Sequence, residues 1–301
     1  MEETIDNRLS YSSASDLMSC ESKYWHRKVN KTEVDSDAVE DTLAFRIGKA
    51  FHQYLENTMH TRLDPDKMRE EIFNCCHQEG VVEHSTLISA MIEAYLRMHV
   101  ASGLVAVKCE LPISSDDTLG FIDVILIDPK KKQWWIADLK TSARFDESVT
   151  AKLASDYQLN LYAHFAPQIG SVLPELEGYG WAGCRYRVTT KVKAKHYASV
   201  PFETYFEELV NKTVSVDVIV PNKALEPDMV YSIHEENHAR ILELREGVAP
   251  RRNYSNCMSY FKPCNYWSKC HGGKTFTECK SLVEVKTEEK YKLRNNAKEL
   301  L

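Results

Sequence analysis

Two carboxylates set inside apolar strand-like runs constrain this chain more than any other feature. Asp123 follows Gly120-Phe121-Ile122 and precedes Val124-Ile125-Leu126; Asp138 follows Trp134-Trp135-Ile136-Ala137, fifteen residues further on. A carboxylate in such surroundings is costly unless something compensates its charge, and a divalent cation shared by the two is the simplest compensation. Side chains alternate along a strand, so Asp138 and Lys140 face the same way and Leu139 the other. If the two strands pair through Asp128-Pro129-Lys130-Lys131-Lys132, Asp123 sits beside Asp138 on that face. The competing possibility is a surface hairpin whose Asp and Lys merely form a salt bridge.

The remaining pattern places these strands in a larger frame. Helical spacing is expected over Ser10 to Lys31, Leu43 to Met59, Pro65 to Gln78 and Ser85 to Val100. Three short β-branched or aromatic runs follow, Leu104 to Ile113, Leu119 to Ile127 and Gln133 to Leu139, separated by turn sequences. They predict a meander. A helix is expected over Ser148 to Phe165, then strands over Gly178 to Val188 and His196 to Val200. Helices at Phe202 to Val216 and Glu235 to Arg245 complete the pattern. This order predicts an α/β or α+β core with helical additions.

Composition narrows the class. The chain has 301 residues, 43% of them hydrophobic, enough for one large core or two modest ones. No window approaches the apolar length of a membrane span. The start, Met1-Glu2-Glu3-Thr4, is not a secretory signal, so a cytoplasmic location is expected, a host's cytoplasm if the chain is phage-encoded. The net charge of −6 argues against non-specific coating of duplex DNA but allows a local basic groove. Nine cysteines without an export signal argue against a disulfide scaffold. Cys75, Cys76, Cys109 and Cys184 read as buried small hydrophobes. Cys257, Cys264 and Cys270, spaced C-x6-C-x5-C in a turn-rich segment, favour a soft metal, with Cys20 as the best fourth ligand and Cys279 or His271 as substitutes.

The flanking residues give the acidic pair its context. Gly48 and His52 stand one helical turn apart, the glycine allowing close approach to the sheet; the imidazole reads either as a further metal ligand or as a half-buried packing histidine. Gln158 and Tyr162 are likewise one turn apart. Taken in order, Gly48 and His52, Gly120-Phe121-Ile122-Asp123, Asp138-Leu139-Lys140-Thr141-Ser142, and Gln158 with Tyr162 resemble the G-x-x-x-H, G-x-I-D, D-x-K-T and Q-x-x-x-Y pattern of the RecB-like branch of the PD-(D/E)XK nucleases. The likeness covers about residues 9 to 272.

The resemblance implies an α/β fold with a restriction-endonuclease-like core, a central mixed sheet flanked by helices, over about 43–200, a helical N-terminal insertion and a cysteine-rich metal-binding C-terminal segment, all within a single domain, 1–280, followed by a charged tail, 281–301. It implies Mg²⁺ or Mn²⁺ held by His52, Asp123, Asp138 and the Leu139 carbonyl, with Lys140 as the catalytic lysine. Gln158 and Tyr162 would orient the site and the DNA, and Glu110 would support it. Some nucleases of that branch, the AddB, exonuclease V and CRISPR-adaptation types, join one N-terminal cysteine to a C-terminal trio around a [4Fe–4S] cluster. Here that implies Cys20, Cys257, Cys264 and Cys270, stapling 1–31 to 250–275. The first gap of the trio departs from the usual C-x2-C-x5-C, with Phe261 where the closer cysteine would stand. Zinc is the alternative.

Two basic sets are candidate DNA contacts: Lys23, Arg27, Lys28 and Lys31 with Tyr24 and Trp25 interleaved, and Lys191, Lys193 and Lys195. The aromatics would stack on unpaired bases; a solvated charged face is the alternative. The function expected is a stand-alone, phage-type or microbial DNA nuclease, an exonuclease on single strands or DNA ends that serves recombination, repair or replication. The alternatives are a nuclease-fold DNA-binding subunit that does not cut, an endonuclease of the same fold, or an enzyme acting on RNA.

Overall fold

The apolar runs do form a meander, because each is long enough for a strand and two short hydrogen-bonded turns join them. The computed structural model describes residues 7–32, 43–59, 64–192, 199–259 and 262–272. Within them β1 (Val105–Ser114), β2 (Leu119–Asp128) and β3 (Gln133–Ser142) pair antiparallel. Asp128 closes the second turn by accepting the N–H groups of Lys130 and Lys131 at 3.0 and 3.1 Å. β4 (Gly180–Thr190) lies parallel to β3, and β5 (Ser215–Pro221) antiparallel to β4, so the order β1-β2-β3-β4-β5 makes a mixed sheet. A parallel neighbour requires a crossover. Three helices supply it, α6 (Glu147–Ala154), α7 (Tyr157–His164) and α8 (Ala166–Val172).

The preceding helices are α1 (Tyr11–Ser19), α2 (Glu21–Tyr24), which runs on into a π-turn at Trp25–Val29, α3 (Leu43–Thr58), α4 (Pro65–Gln78) and α5 (Ser85–Ser102). After the sheet come α9 (Phe202–Lys212), α10 (Pro227–Arg245) and α11 (Trp267–Cys270). None of the helices among the described residues is long and apolar enough to cross a membrane. The described residues divide into two units. The first comprises those of Met1–Tyr11 and Asp41–Glu236, the second those of Ser12–Glu40 and Asn237–Leu301.

In the first unit each face of the sheet carries its own core. Ile125, Trp134 and Ile136 pack with Leu159, Leu161 and Ile169 of the crossover helices. Val124, Leu126, Trp135, Ala137 and Leu139 pack with Phe51, Ile88 and Tyr95 of α3 and α5. The sheet flanked by helices is the α/β architecture expected from the sequence. Differences from the expected elements are local. The helix expected over Ser148 to Phe165 is two, α6 and α7, with a break at Ser155-Asp156. The helix expected over Phe202 to Val216 stops at Lys212, and the strand β5 begins three residues later. Of the strand expected over His196 to Val200, residues 196–198 lie outside the described residues, and 199–200 form a turn.

A buried charge network braces the last two strands. Arg187 on β4 is fully buried. It pairs with Asp217 on β5 at 3.1 Å and bonds Tyr95 at 3.0 Å and His99 at 2.7 Å on α5. Arg185 also reaches Asp217, at 3.1 Å. Beside this network Gly183 takes φ 131°, and a Cβ there would lie 2.4 Å from the Val220 carbonyl oxygen and 2.7 Å from the Asn222 nitrogen. Those are backbone atoms of β5 and of the turn that follows it, which have little room to retreat. Gly183→Ala is therefore expected to lower unfolding free energy by about 2–4 kcal/mol, more than an ordinary surface change. Denaturant titration checks this, and a midpoint within experimental scatter of the wild type would refute it.

Candidate active site

The acidic pair lies where the pairing of β2 with β3 ends. The final pair of that ladder is Val124↔Ala137, and one step further would set Asp123 against Asp138. Instead the Asp123 carboxylate accepts the Leu139 N–H at 2.7 Å, so the side chain takes the place of a strand carbonyl. Strict alternation slips at the same point, since Ile122 packs in the crossover-helix core while Val124 packs in the other. Across the β1–β2 ladder Glu110 stands opposite Asp123, between Cys109↔Val124 and Leu111↔Ile122. Glu110 has φ 45°, a left-handed backbone that L side chains adopt at a cost. Strain and slippage thus coincide at the carboxylates, where the β2–β3 ladder ends.

Asp138 and Lys140 share a face, as their spacing predicts. Asp138 is buried, and its Oδ2 lies 2.7 Å from Lys140 Nζ. Lys140 Nζ also donates to Gln158 Oε1 at 2.8 Å, and Gln158 Nε2 donates to Tyr162 Oη at 3.3 Å. Both partners are buried on α7. That helix is aimed by its own cap, the Asp156 carboxylate accepting the Gln158 N–H at 2.6 Å. A Cβ on Gly120 would lie 3.2 Å from Tyr162 Cε1, so the glycine gives the ring room beside β2.

Electrostatics make the pair unstable as it stands. Burial raises the pKa of Asp138, Asp123 raises it further, and Lys140 only partly offsets both. Asp123 is raised chiefly by burial, with Glu110 and Glu56 adding to the effect against the Leu139 N–H and Lys140. Burial, Glu56 and Asp138 push Glu110 up as well. One ammonium thus serves a crowd of carboxylates, a donor set of hard oxygens with a deficit of positive charge.

The opposite layer supplies the imidazole. A cavity of about 690 Å³ is lined by Phe45, Gly48, Lys49, His52 and Glu56 of α3 and by Leu139, Lys140, Thr141 and Lys191. A Cβ on Gly48 would stand 2.8 Å from Thr141 Oγ1, so only glycine lets α3 lie this close to β3. His52 is half-buried in this cavity, and its pKa is lowered to about 4 by burial and then by Lys140 and Lys191. It is neutral at pH 7, with a lone pair to offer. Lys191 Nζ donates to Thr141 Oγ1 at 2.8 Å. Lys193 and Lys195, the other predicted contacts in that run, lie outside the described residues. Glu56, which sequence reasoning missed, is one turn beyond His52; the i, i+4 spacing was its signal.

No three His, Cys, Asp or Glu among the described residues form a closed group able to hold an ion. His52, Asp123, Asp138 and Glu110 are nevertheless of the donor types a hard divalent cation takes, and buried carboxylates short of positive charge fit one.

The second unit holds the cysteines. Cys20, Cys257, Cys264 and Cys270 line one cavity of about 680 Å³. No disulfide joins them. Asn253 N–H points at Cys20 Sγ, 3.4 Å away. Peptide contacts clamp the same segments, with Asn253 and Asn256 side chains donating to the Ser19 carbonyl at 3.0 and 2.6 Å and Ser22 N–H to the Arg251 carbonyl at 3.2 Å. Cys279 and the expected tail, 281–301, fall outside the described residues. Of the thiols read as buried hydrophobes, Cys75, Cys76 and Cys184 are buried and Cys109 only half so.

Lys23 and Arg27 both pair with the buried Asp16, at 2.7 and 2.5 Å, which gives each a structural partner. Tyr24 is buried, so it is not free to stack on a base, a correction to the sequence reading. Glu21, missed in the sequence, is the centre of the clamp: it meets Arg240 at 2.8 Å and Arg251 at 2.6 Å. Burial alone would raise its pKa, but hydrogen bonds from the two arginines outweigh that and hold it at about 2, against 4.5 ordinarily. A depressed carboxylate stabilises the fold above its unfolded pKa, and the benefit fades as pH falls toward the folded value. Glu21→Gln is therefore expected to be less stable than the wild type at pH 7, with the gap closing between pH 4.5 and 2. A gap that stays constant over that range would show that the charge is not the cause.

The model of the PD-(D/E)XK nuclease superfamily matches residues 8–271. The chain belongs to this superfamily. No curated protein matches it. Among solved structures, one of a candidate exonuclease from Eubacterium rectale is similar, with a TM-score of 0.49, 12% identity and 90% of each chain covered. The sheet and flanking helices are consistent with the superfamily's restriction-endonuclease-like core.

Proposed function

We propose that the chain is a Mg²⁺- or Mn²⁺-dependent deoxyribonuclease of the RecB-like branch, an exonuclease acting on single-stranded DNA or DNA ends. The observation that carries this is the convergence of Asp123, Asp138 and Lys140 where the pairing of β2 with β3 ends, beside a cavity lined by His52 and Lys140. When bound, the cation would polarise the phosphodiester and make a nearby water more acidic. Asp123, Asp138 and His52 would hold it, with the Leu139 carbonyl as a further ligand and Glu110 in support. Lys140 is restrained by Asp138 and Gln158, so its ammonium is preorganised to hold the attacking water and to stabilise charge that grows on the phosphate. Tyr162 fixes Gln158 from behind. Lys191 adds positive charge at the rim, where a phosphate backbone would lie.

Digestion of end-labelled linear and closed circular DNA, with Mg²⁺ or Mn²⁺ and with EDTA, tests this reading. Metal-dependent release of short products from linear DNA alone is expected. Cutting of the circle would make the enzyme an endonuclease, and binding without cutting would make it a DNA-binding subunit of the same fold. Parallel digestion of RNA tests the choice of DNA.

We propose in addition that Cys20, Cys257, Cys264 and Cys270 hold a [4Fe–4S] cluster. Four thiols lining one roomy cavity, one of them facing a backbone N–H, support this. Zinc on the same thiols is the alternative, and metal analysis decides between them.

A further inference from the structure

Phe45 is a large apolar side chain left 53% exposed, in the wall of the cavity that carries Lys140 and His52. It lies in the first turn of α3, and Gly48, His52 and Glu56 continue the same helical face toward the acidic pair. Seven residues separate Phe45 from His52. At about 1.5 Å per residue that is about 10 Å along the helix, about one to two nucleotides of strand. Lys49 lies over its ring, 5.0 Å from the centroid, and Lys191 lines the same cavity. An exposed aromatic ring in a cavity that also carries the Lys49 and Lys191 ammonium groups matches a stacked base whose flanking phosphates need neutralising. A paired base offers its face only to its neighbours in the stack, so such a ring discriminates by strandedness.

We propose that Phe45 is a stacking platform for an unpaired base next to the scissile phosphate, and that it biases the enzyme toward single-stranded DNA. This rests on the nuclease reading and names the substrate feature recognised at the same groove. Glu79, which meets Lys49 at 3.8 Å, limits that lysine's free charge, so stacking rather than charge supplies the discrimination.

Binding is measured by fluorescence anisotropy, with a labelled oligothymidylate and a labelled blunt duplex, in Ca²⁺ with wild type, Phe45→Ala and Phe45→Trp. Phe45→Ala should weaken single-strand binding by about tenfold or more while changing duplex binding less than about twofold. Phe45→Trp should restore it. Phe45 is exposed, so both variants should melt within about 2 °C of the wild type. Equal losses on both DNAs, or a tryptophan variant as weak as the alanine one, would overturn the proposal. So would a wild type that binds neither DNA. The nuclease reading is judged separately by digestion: wild type that cuts DNA while Phe45→Ala binds normally removes only the platform.

Discussion

Asp138→Asn is expected to abolish phosphodiester cleavage while leaving the metal-free protein at least as stable as the wild type. The two halves of this result have one cause. Asp138 is 2% exposed, crowded by Asp123, and compensated only by Lys140. In metal-free buffer its charge is a liability, because desolvation and like-charge repulsion exceed one ion pair. Asparagine keeps the shape and removes the charge, and Lys140 retains Gln158 and faces Asp123. A gain of about 1 kcal/mol is expected in EDTA. With Mg²⁺ or Mn²⁺ the order should reverse, since only the wild type gains from binding the cation. Cleavage should fall by about a thousandfold or more. A structural salt bridge would behave oppositely, with lost stability in EDTA and unchanged cutting. Near wild-type activity in Asp138→Asn would remove the assignment.

The core of this site was legible because strand periodicity and covalent spacing carry it. Asp138 and Lys140 are two residues apart in a strand, and no tertiary information is needed to put them on one face. Gly48 before His52 was legible for the same reason, since a glycine one turn from a polar residue marks a helix that approaches something closely. The position of Asp123 followed from the short turn through Asp128 and Lys132. What did not follow was how the pair is reached: Asp123 breaks the ladder by taking the Leu139 N–H, and Glu110 turns left-handed opposite it. Backbone strain leaves no mark in a sequence when the strained residue is not glycine.

Other features were missed because two periods competed. The run Phe202 to Val216 reads as one helix until Ser215-Val216-Asp217-Val218-Ile219-Val220 is seen to alternate, with Val218 and Val220 buried. Missing β5 also hid Asp217 and with it the partner of Arg187. The break at Ser155-Asp156 had a visible signal, an aspartate that caps the helix carrying Gln158, but apolar periodicity on both sides obscured it. Tyr24 looked like part of a basic, aromatic surface. Periodicity alone does not say which side of a short helix faces inward, nor that Lys23 and Arg27 both pair with Asp16.

On the proposed cluster, Cys20→Ser is expected to abolish iron binding and to lower the melting temperature by about 10 °C or more, as Cys264→Ser should. The two residues are far apart in sequence but line one cavity with Cys257 and Cys264's neighbour in the trio, Cys270. Removing either ligand opens the same site, so similar losses are expected. The peptide clamp allows the metal's contribution to be separated from it. Glu21 with Arg240 and Arg251, and Ser19 with Asn253 and Asn256, join the same segments without any metal. A serine at position 20 leaves those bonds in place, so the loss it causes measures ligation, whereas Glu21→Gln measures the clamp. Protein purified without oxygen should be brown and carry about four irons per chain. Stoichiometric zinc without iron would replace the cluster by a zinc site. A metal-free Cys20→Ser protein that melts like the wild type would show that the clamp alone holds these segments, and would leave the nuclease site to stand on its own chemistry.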